Sequence, residues 1–481
     1  MTALESAWSA VGGDAALLEG VSAVVREGAL AARLPVREAA RACVGACALA
    51  AAEAGARRAG LAGVPAVRLD DGAIATAFVS ERHLLVDGRA PVWFAPLSRF
   101  WPAADGWVRT HANYPHHRAA LRAALGVSRE DPDAVAAAVA ERPAREVEDA
   151  VYAAGGLAVA LRTPAEWAAH EQAAEVARRP LVGRERTAPA RARALPPLDG
   201  TPLLPATGVR VLDLTRVIAG PVATRTLALL GADVLRVDAP RLPELADQHT
   251  DTGFGKRSAL LDAAVDRRGL EELLEAADVV VTGYRPGALD RFGLSARALA
   301  ERWPGLVVAE LSAWGAYGPW GGRRGFDSLV QAATGIAVTE GSAGRPGALP
   351  AQALDHGTGY LLAAAVLRAL TDRGEDGHGS LLSLSLARTA HWLTREVGPG
   401  PAGDAVYEAP DDWLAERDSA LGRLRYALPP VSFEGGPRDW ARPPGAWGAD
   451  PASWLRRAWD GPAECSSASS FPALVRLCDA L

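Results

Sequence analysis

From residue 208 onward the apolar residues fall into short continuous runs separated by turn residues and amphipathic stretches. "GVRVLDL" (208–214), "ADVLRVD" (232–238), "DVVVTGY" (278–284) and "GLVVAEL" (305–311) are predicted as buried strands. "VATRTLALLG" (222–231), between the first two, reads as a helix ending at Gly231. Strands apolar on both sides, alternating with helices, predict βαβ units and a parallel sheet covered on both faces. The first half is less regular. "RLPVREAARACVGACALAAAEAGARRAG" (33–60) predicts an Ala-rich helix, and "DGWVRTHANYPHHRAALRAALG" (105–126) a strand turning into a helix. In "RTPAEW" (162–167), Thr163 and Glu166 form a capping box with Pro164 at the first helical position. Between the halves, residues 184–208 are rich in Pro, Ala and Arg without a hydrophobic period, and read as a linker.

At 481 residues, 49% hydrophobic and 22% charged, the chain is long enough for two or three globular domains. A net charge of −6 gives no electrostatic reason to expect nucleic acid or an anionic membrane as partner. The start has no cationic segment followed by an apolar run, and no apolar stretch is long enough to span a bilayer, so a cytoplasmic, reduced protein is expected. Cys43 and Cys47, four apart on the Ala-rich helix, read as core packing, with Cys465 and Cys478 near the C-terminus. His111, His116 and His117 lack an acidic or thiol partner at a recognisable spacing, so no metal is expected.

A weak internal repeat relates residues 34–82 to 349–396: Leu-Pro, an Ala-rich helix, a Gly-rich turn, then "VRLDDGAIATAFVSER" in one copy and "SLLSLSLARTAHWLTRE" in the other. Gly45 aligns with Gly359 and Phe78 with Trp392. In the second copy, "ALPAQALDHGTGYLLAAA" (348–365) sets Asp355 at the mouth of the helix, followed by Gly357 and Gly359. The first copy holds Arg41 at that position, or Ala40 after a one-residue slip. An aspartate at a helix start is commonly an N-cap; a chemical role is the alternative.

"VRVLDLTRVIAGPVATRTLALLGADVLRVDAP" (209–240) resembles the opening of family III CoA-transferases, which include formyl-CoA transferase, carnitine CoA-transferase and alpha-methylacyl-CoA racemase. The resemblance continues through "GKRSALLD" (255–262), "VVVTGYRPGALDRFGL" (279–294), "GFDSLVQAATGI" (325–336), "LDHGTGYLLAAAVLRAL" (354–370) and "ALPPVSFEGGP" (427–437). It implies an α/β fold with a Rossmann-like parallel-sheet large domain and a smaller α+β domain. The order departs from the family, because residues 90–180 resemble the small domain that elsewhere follows the aspartate helix. A two-copy fusion is expected: 1–84 the helical remnant of a first large domain, 85–183 the small domain, 184–207 a linker, 208–400 the CoA-binding large domain, 401–481 a closing segment and tail. Family members form interlocked homodimers, so the rearrangement leaves monomer or homodimer open.

The resemblance implies that Asp355 is the nucleophile in moving CoA between an acyl-CoA and a carboxylic acid, through an aspartyl anhydride and an aspartyl-CoA thioester. CoA is then a substrate, and no metal is needed. Gly357 and Gly359 are expected to let the thioester approach. Implied CoA contacts are Arg216, Ile218 and Ala219 after the first strand, Leu261 at the adenine, Gly283, Tyr284 and Arg285 in a second turn, Arg291 near the phosphates, and Arg324 with Gly325. A frequent family arginine is Ala239 here, with Arg241 nearby. Racemisation is the nearest rival, but its two further proton carriers are replaced by Phe326 and Tyr114, and His356 should point away from its neighbour Asp355. A dehydrogenase would use Asp238 for a ribose, yet "TRVIAGP" has one Gly instead of G-x-G-x-x-G. A non-catalytic CoA-binding protein is the third alternative, opposed by the presence of Asp355. The small-domain surface near Asn113 and Tyr114 is expected to close over Asp355.

Overall fold

A computed structural model describes residues 1–190, 195–400 and 406–457. Cys465, Cys478 and most of the expected tail lie outside the described residues. The central sheet has seven strands: β1 Gly183–Pro189, β2 Arg210–Leu214, β3 Asp233–Asp238, β4 Arg257–Leu260, β5 Val279–Thr282, β6 Val307–Ser312 and β7 His378–Ser385. Their order is β4-β3-β2-β5-β6-β7-β1, parallel throughout except for β1, which runs antiparallel along β7. This doubly wound order reverses direction between β2 and β5, opening a crevice at the carboxyl ends of those strands. Val211, Val281 and Val307 face one core while Leu212, Val280 and Val308 face another, so apolar residues are needed on both faces of these strands. The four predicted strands are all present. β4, β7 and β1 were not predicted as strands, and β1 occupies the first part of the expected linker at 184–207.

Two helices of 24 residues each form the spine: α1 Val36–Ala59 and, later in the chain, α4 Ala353–Asp376. α2 Ala219–Leu229 and α3 Asp327–Ala333 lie beside α4. Both long helices are entered through a residue of nearly the same conformation (Pro35, φ −75 and ψ 55; Gln352, φ −74 and ψ 63) and closed by a left-handed glycine, Gly60 or Gly377. Aligning the two starts sets Glu38 opposite Asp355, in place of the expected Arg41 or Ala40. Arg41 instead forms a two-pronged ion pair with the buried Asp71. α1 is long and apolar enough to cross a bilayer, but 89% of its apolar window is buried against the rest of the fold. Cys43 and Cys47 pack within it, both buried and free.

The two halves are tied together through α1, α4 and β1. Arg368 of α4 donates to Glu53 of α1 at 2.6 Å, with both side chains buried. Gly359 sits where α4 crosses α2: a Cβ there would come within 2.6 Å of the Ala219 carbonyl and 2.9 Å of Val222 Cβ. Gly359→Ala is therefore expected to destabilise by about 1–3 kcal/mol through overpacking, even though alanine gains about 1 kcal/mol of helix propensity. Urea denaturation measures this; an unchanged midpoint would mean that the crossing relaxes freely.

The small domain has its own sheet of Phe100–Ala103, Gly106–Thr110 and Ala158–Ala160, antiparallel in that order, covered by Pro115–Leu125, Pro132–Ala140 and Ala144–Ala153. Val108, Leu121, Val135, Val147 and Val151 fill its separate core. Thr163 and Glu166 cap the helix Pro164–Ala168 reciprocally, as the sequence predicts.

Candidate active site

The crevice begins with Asp213 at the end of β2. Its carboxylate is fully buried and accepts from the Thr215 N–H at 3.0 Å, the Thr224 hydroxyl at 2.6 Å and Lys256 Nζ at 3.0 Å. Burial alone would raise this carboxyl, but Lys256 and Arg236 hold it below the usual carboxylate range. Burial in turn brings the Lys256 ammonium down to about 8. The turn that follows carries Val217 at φ 69, a left-handed conformation costly for a β-branched residue. Glu244 accepts the Val217 N–H at 3.3 Å and holds the turn in that shape. Across the crevice the second turn packs on the first at Gly283, where an added Cβ would be in van der Waals contact with Thr215 Cβ at 3.4 Å.

A cavity of about 540 Å³ occupies this crevice, within the range of small-molecule sites. All the residues expected from the sequence line it: Asp355 at one end, with Arg216, Ile218, Ala219, Leu261, Gly283, Tyr284, Arg285, Arg291, Arg324 and Gly325. The small domain adds Tyr114, His116 and His117 to the lining. Burial pushes His117 down to about 3 and lowers His116, with nearby Arg324 and Arg216 contributing, so both rings are neutral at pH 7.

Three of the expected assignments change. Arg216 lines the cavity, but its guanidinium is committed to the Leu242 and Pro243 carbonyls at 2.9 and 2.7 Å, to Glu244 at 3.4 Å and to the Tyr114 ring, so it braces the loop at 242–244. The Arg285 guanidinium, by contrast, has no hydrogen-bond or ion-pair partner among the described residues. Arg241 lines the cavity but pairs with Asp262 at 2.7 Å. Gly357 and Gly359 do not open a path for a thioester, because added methyl groups would meet Cys43 and α2. Their small size serves helix packing.

Asp238, the acid that a dehydrogenase would turn to a ribose, is buried against Arg236 at 2.7 Å and accepts from the Trp447 indole at 2.9 Å. The racemase positions are equally occupied. Phe326 stacks on His111 with ring centroids 3.8 Å apart, and the Tyr114 hydroxyl donates to Glu244. Despite burial, Arg236 and Arg216 hold Glu244 at about 2, so it carries no proton at neutral pH.

Asp355 is not the N-cap of α4. Gln352 holds that place, and its side chain makes no capping hydrogen bond. Asp355 lies in the first turn, and its backbone N–H donates to Asp327 Oδ2 at 2.9 Å. Burial, then Asp327 and Glu81, raise its carboxyl well above the ordinary value. Asp327, itself fully buried, is raised to about 6 by burial against the donors Asp355 N–H and Gln331. His356 points elsewhere, stacked on Phe78 at 5.2 Å with Nε2 3.7 Å from Glu81. Beyond Asp355 lies a second compartment of about 60 Å³; Val217, Ile218, Phe326 and Asp355 line both spaces and form the neck between them. This compartment carries no motif in the sequence, since its walls come from segments near residues 81, 93, 111 and 247.

Residues 207–399 match the family described as CoA-transferase family III. The chain is 37% identical over 212 residues to an acetyl-coenzyme A transferase of Hypoxylon pulicicidum, covering 42% of this chain and 36% of that protein. It is 32% identical over 254 residues to a formyl-CoA:oxalate CoA-transferase of Streptomyces coelicolor, covering 48% of this chain and 62% of that one. The chain thus spans between about a third and two thirds of these relatives' lengths. A crystal structure of a hypothetical protein, Rv3272, from Mycobacterium tuberculosis aligns at 34% identity over 40% of this chain and 57% of that one, with a TM-score of 0.37.

Proposed function

We propose that this chain, whose residues 207–399 match CoA-transferase family III, moves CoA from an acyl-CoA to a carboxylic acid with Asp355 as nucleophile. The observation that carries this reading is that Asp355 lines both the large cavity and the small one. The long cavity suits a nucleotide thioester, with Arg285, Arg291 and Arg324 along its wall for phosphate oxygens. Its thioester would meet Asp355, and its acyl group would pass into the smaller compartment.

In this reading an Asp355 oxygen attacks the thioester carbonyl and expels the CoA thiolate, leaving a mixed anhydride. The thiolate attacks the aspartyl carbonyl, releasing the first acid and forming an aspartyl-CoA thioester. The incoming carboxylate attacks that carbonyl and again expels the thiolate, which then takes the new acyl group and frees Asp355. Every intermediate is open to hydrolysis, so the site has to exclude water more than it has to supply acid or base. Tyr114, His116, His117 and Phe326 close over the neck from above and support that requirement. Glu81 and the small-domain residues come from outside the family-matched region, so the first half of the chain completes the site.

Intact-mass spectrometry after incubation with a panel of acyl-CoAs tests the proposal: an acyl or CoA adduct should form on the native chain and be absent from Asp355→Ala. Adducts equal in both would remove Asp355 from the reaction. The arginines should separate by role. Arg285→Ala is expected to weaken CoA binding about tenfold by calorimetry, with the difference shrinking at high salt. Arg216→Ala should instead lower the melting temperature by releasing the 242–244 loop and Glu244. Equal effects of the two on CoA affinity and none on melting would contradict this division.

A further inference from the structure

We propose that the compartment beyond Asp355 restricts the transferred acyl group to a short one without a second carboxylate. This rests on the CoA-transfer reading of the same neck. The space is about 60 Å³, and a water-sized group takes roughly 10–15 Å³ of such volume, so about four to six heavy atoms fit. Acyl groups up to about valeryl therefore fit, acetyl with room to spare.

The walls that set this length are held firmly. Asn113 Oδ1 accepts from the Ala95 N–H at 3.0 Å and the Ser98 hydroxyl at 2.7 Å, while its Nδ2 donates to the Trp93 carbonyl at 2.9 Å. On the other side of the same strip, Asp247 accepts the Val92 N–H at 3.1 Å and pairs with Arg89 at 2.6 Å. The segment bearing Trp93 and Phe94 is thereby pinned on both sides. Phe94 meets His111 edge-on at 6.3 Å, and His111 stacks on Phe326, giving a continuous wall of rings from the outer surface to the neck. Trp93 and Phe94 are 41% and 37% exposed, so their far sides face solvent and truncating either opens the compartment outward.

The charges disfavour a second carboxylate on the acyl group. Glu81 lines the compartment beside Asp355, and its Oε2 is buried without a hydrogen-bond donor. The cation in the wall, Arg82, lies 3.7 Å from Glu81 and 5.4 Å from the centre of the Trp93 ring. Asp247 is already matched by Arg89. A carboxylate at the end of the acyl chain would therefore meet Glu81 before it met an unengaged cation.

The test measures kcat/KM of the full chain for acetyl-, butyryl-, octanoyl- and succinyl-CoA with one acceptor acid, together with direct binding of CoA. Acetyl- or butyryl-CoA is expected to exceed both octanoyl- and succinyl-CoA by at least about tenfold. Phe94→Ala and, separately, Trp93→Ala should each raise the octanoyl-to-butyryl ratio about tenfold. Octanoyl- or succinyl-CoA used as well as butyryl-CoA by the native chain would overturn the proposal, as would a ratio unmoved in both variants. If the chain binds CoA but transfers it from none of the four thioesters, the transferase reading itself falls, and this inference with it.

Discussion

Asp355→Ala leaves a folded protein that still binds CoA and transfers it at least about 10⁴-fold more slowly, the scale on which enzymes lose turnover with their nucleophile. Affinity survives because Arg285, Arg291 and Arg324, which line the cavity, are unchanged by the substitution. Folding survives because the Asp355 carboxyl makes no capping bond and its backbone N–H remains to donate to Asp327. Stability should hold or rise. Burial, Asp327 and Glu81 raise the Asp355 carboxyl in the folded state above its unfolded value. Between those two values the folded chain binds more protons, so the stability this group gives in acid is lost as pH rises through the folded value. At neutral pH this raised carboxyl is a net cost to stability, as active-site groups commonly are. The same shift shapes the native rate, because only the carboxylate attacks: transfer should decline on acidification at a pH where an ordinary aspartate stays charged. Asp327→Asn, which removes the nearby acid raised to about 6, should move that decline to lower pH. A melting curve at pH 7 and a pH–rate profile check both points. Near-native turnover in Asp355→Ala would end the covalent mechanism.

Asp213→Ala should cost about 3–5 kcal/mol, because it leaves the Lys256 ammonium buried without its carboxylate. It also strips acceptors from the Thr215 N–H and the Thr224 hydroxyl, which fix the turn leading to Val217 and the neck. Denaturant unfolding should show this loss, and Lys256→Met should show a similar one through the unpaired Asp213. The double variant Asp213→Leu with Lys256→Met should lose markedly less than the two single losses added, because neither charge is then stranded. Additive losses would mean that the pair does not act as a unit.

Much of this site was legible in the sequence, for a physical reason. Residues after parallel strands converge at the carboxyl edge of the sheet whatever the rest of the chain does, so turns at 215–219 and 283–285 could be expected to share a crevice. The capping box at Thr163 is equally local, and it forms as read. What the sequence did not yield depends on distant partners. Arg216 looks like a phosphate ligand until Leu242, Pro243 and Glu244 take its donors. Gly357 and Gly359 look like a path for substrate until Cys43 and α2 fill it. β1 was hidden in an Arg- and Pro-rich stretch because an edge strand has one paired side and needs little apolar patterning. The small compartment draws on residues far apart along the chain, which no local pattern can join. One further signal is local to the sequence. Lys256 is the only lysine among 51 basic residues, and it stands where a compact ammonium has to fit beside a buried Asp213.

Isotope transfer into Asp355 tests the covalent role most directly. Turnover with an acceptor acid carrying ¹⁸O in both carboxyl oxygens should leave ¹⁸O in the Asp355 side chain, because the oxygen that attacks the aspartyl-CoA thioester stays with the aspartate when the thiolate takes the new acyl group. Peptide mass spectrometry after many turnovers reads this out. Label at Asp355 that depends on both acyl-CoA and acceptor is the expected result. Full turnover with an unlabelled Asp355, and both heavy oxygens accounted for elsewhere, would contradict it.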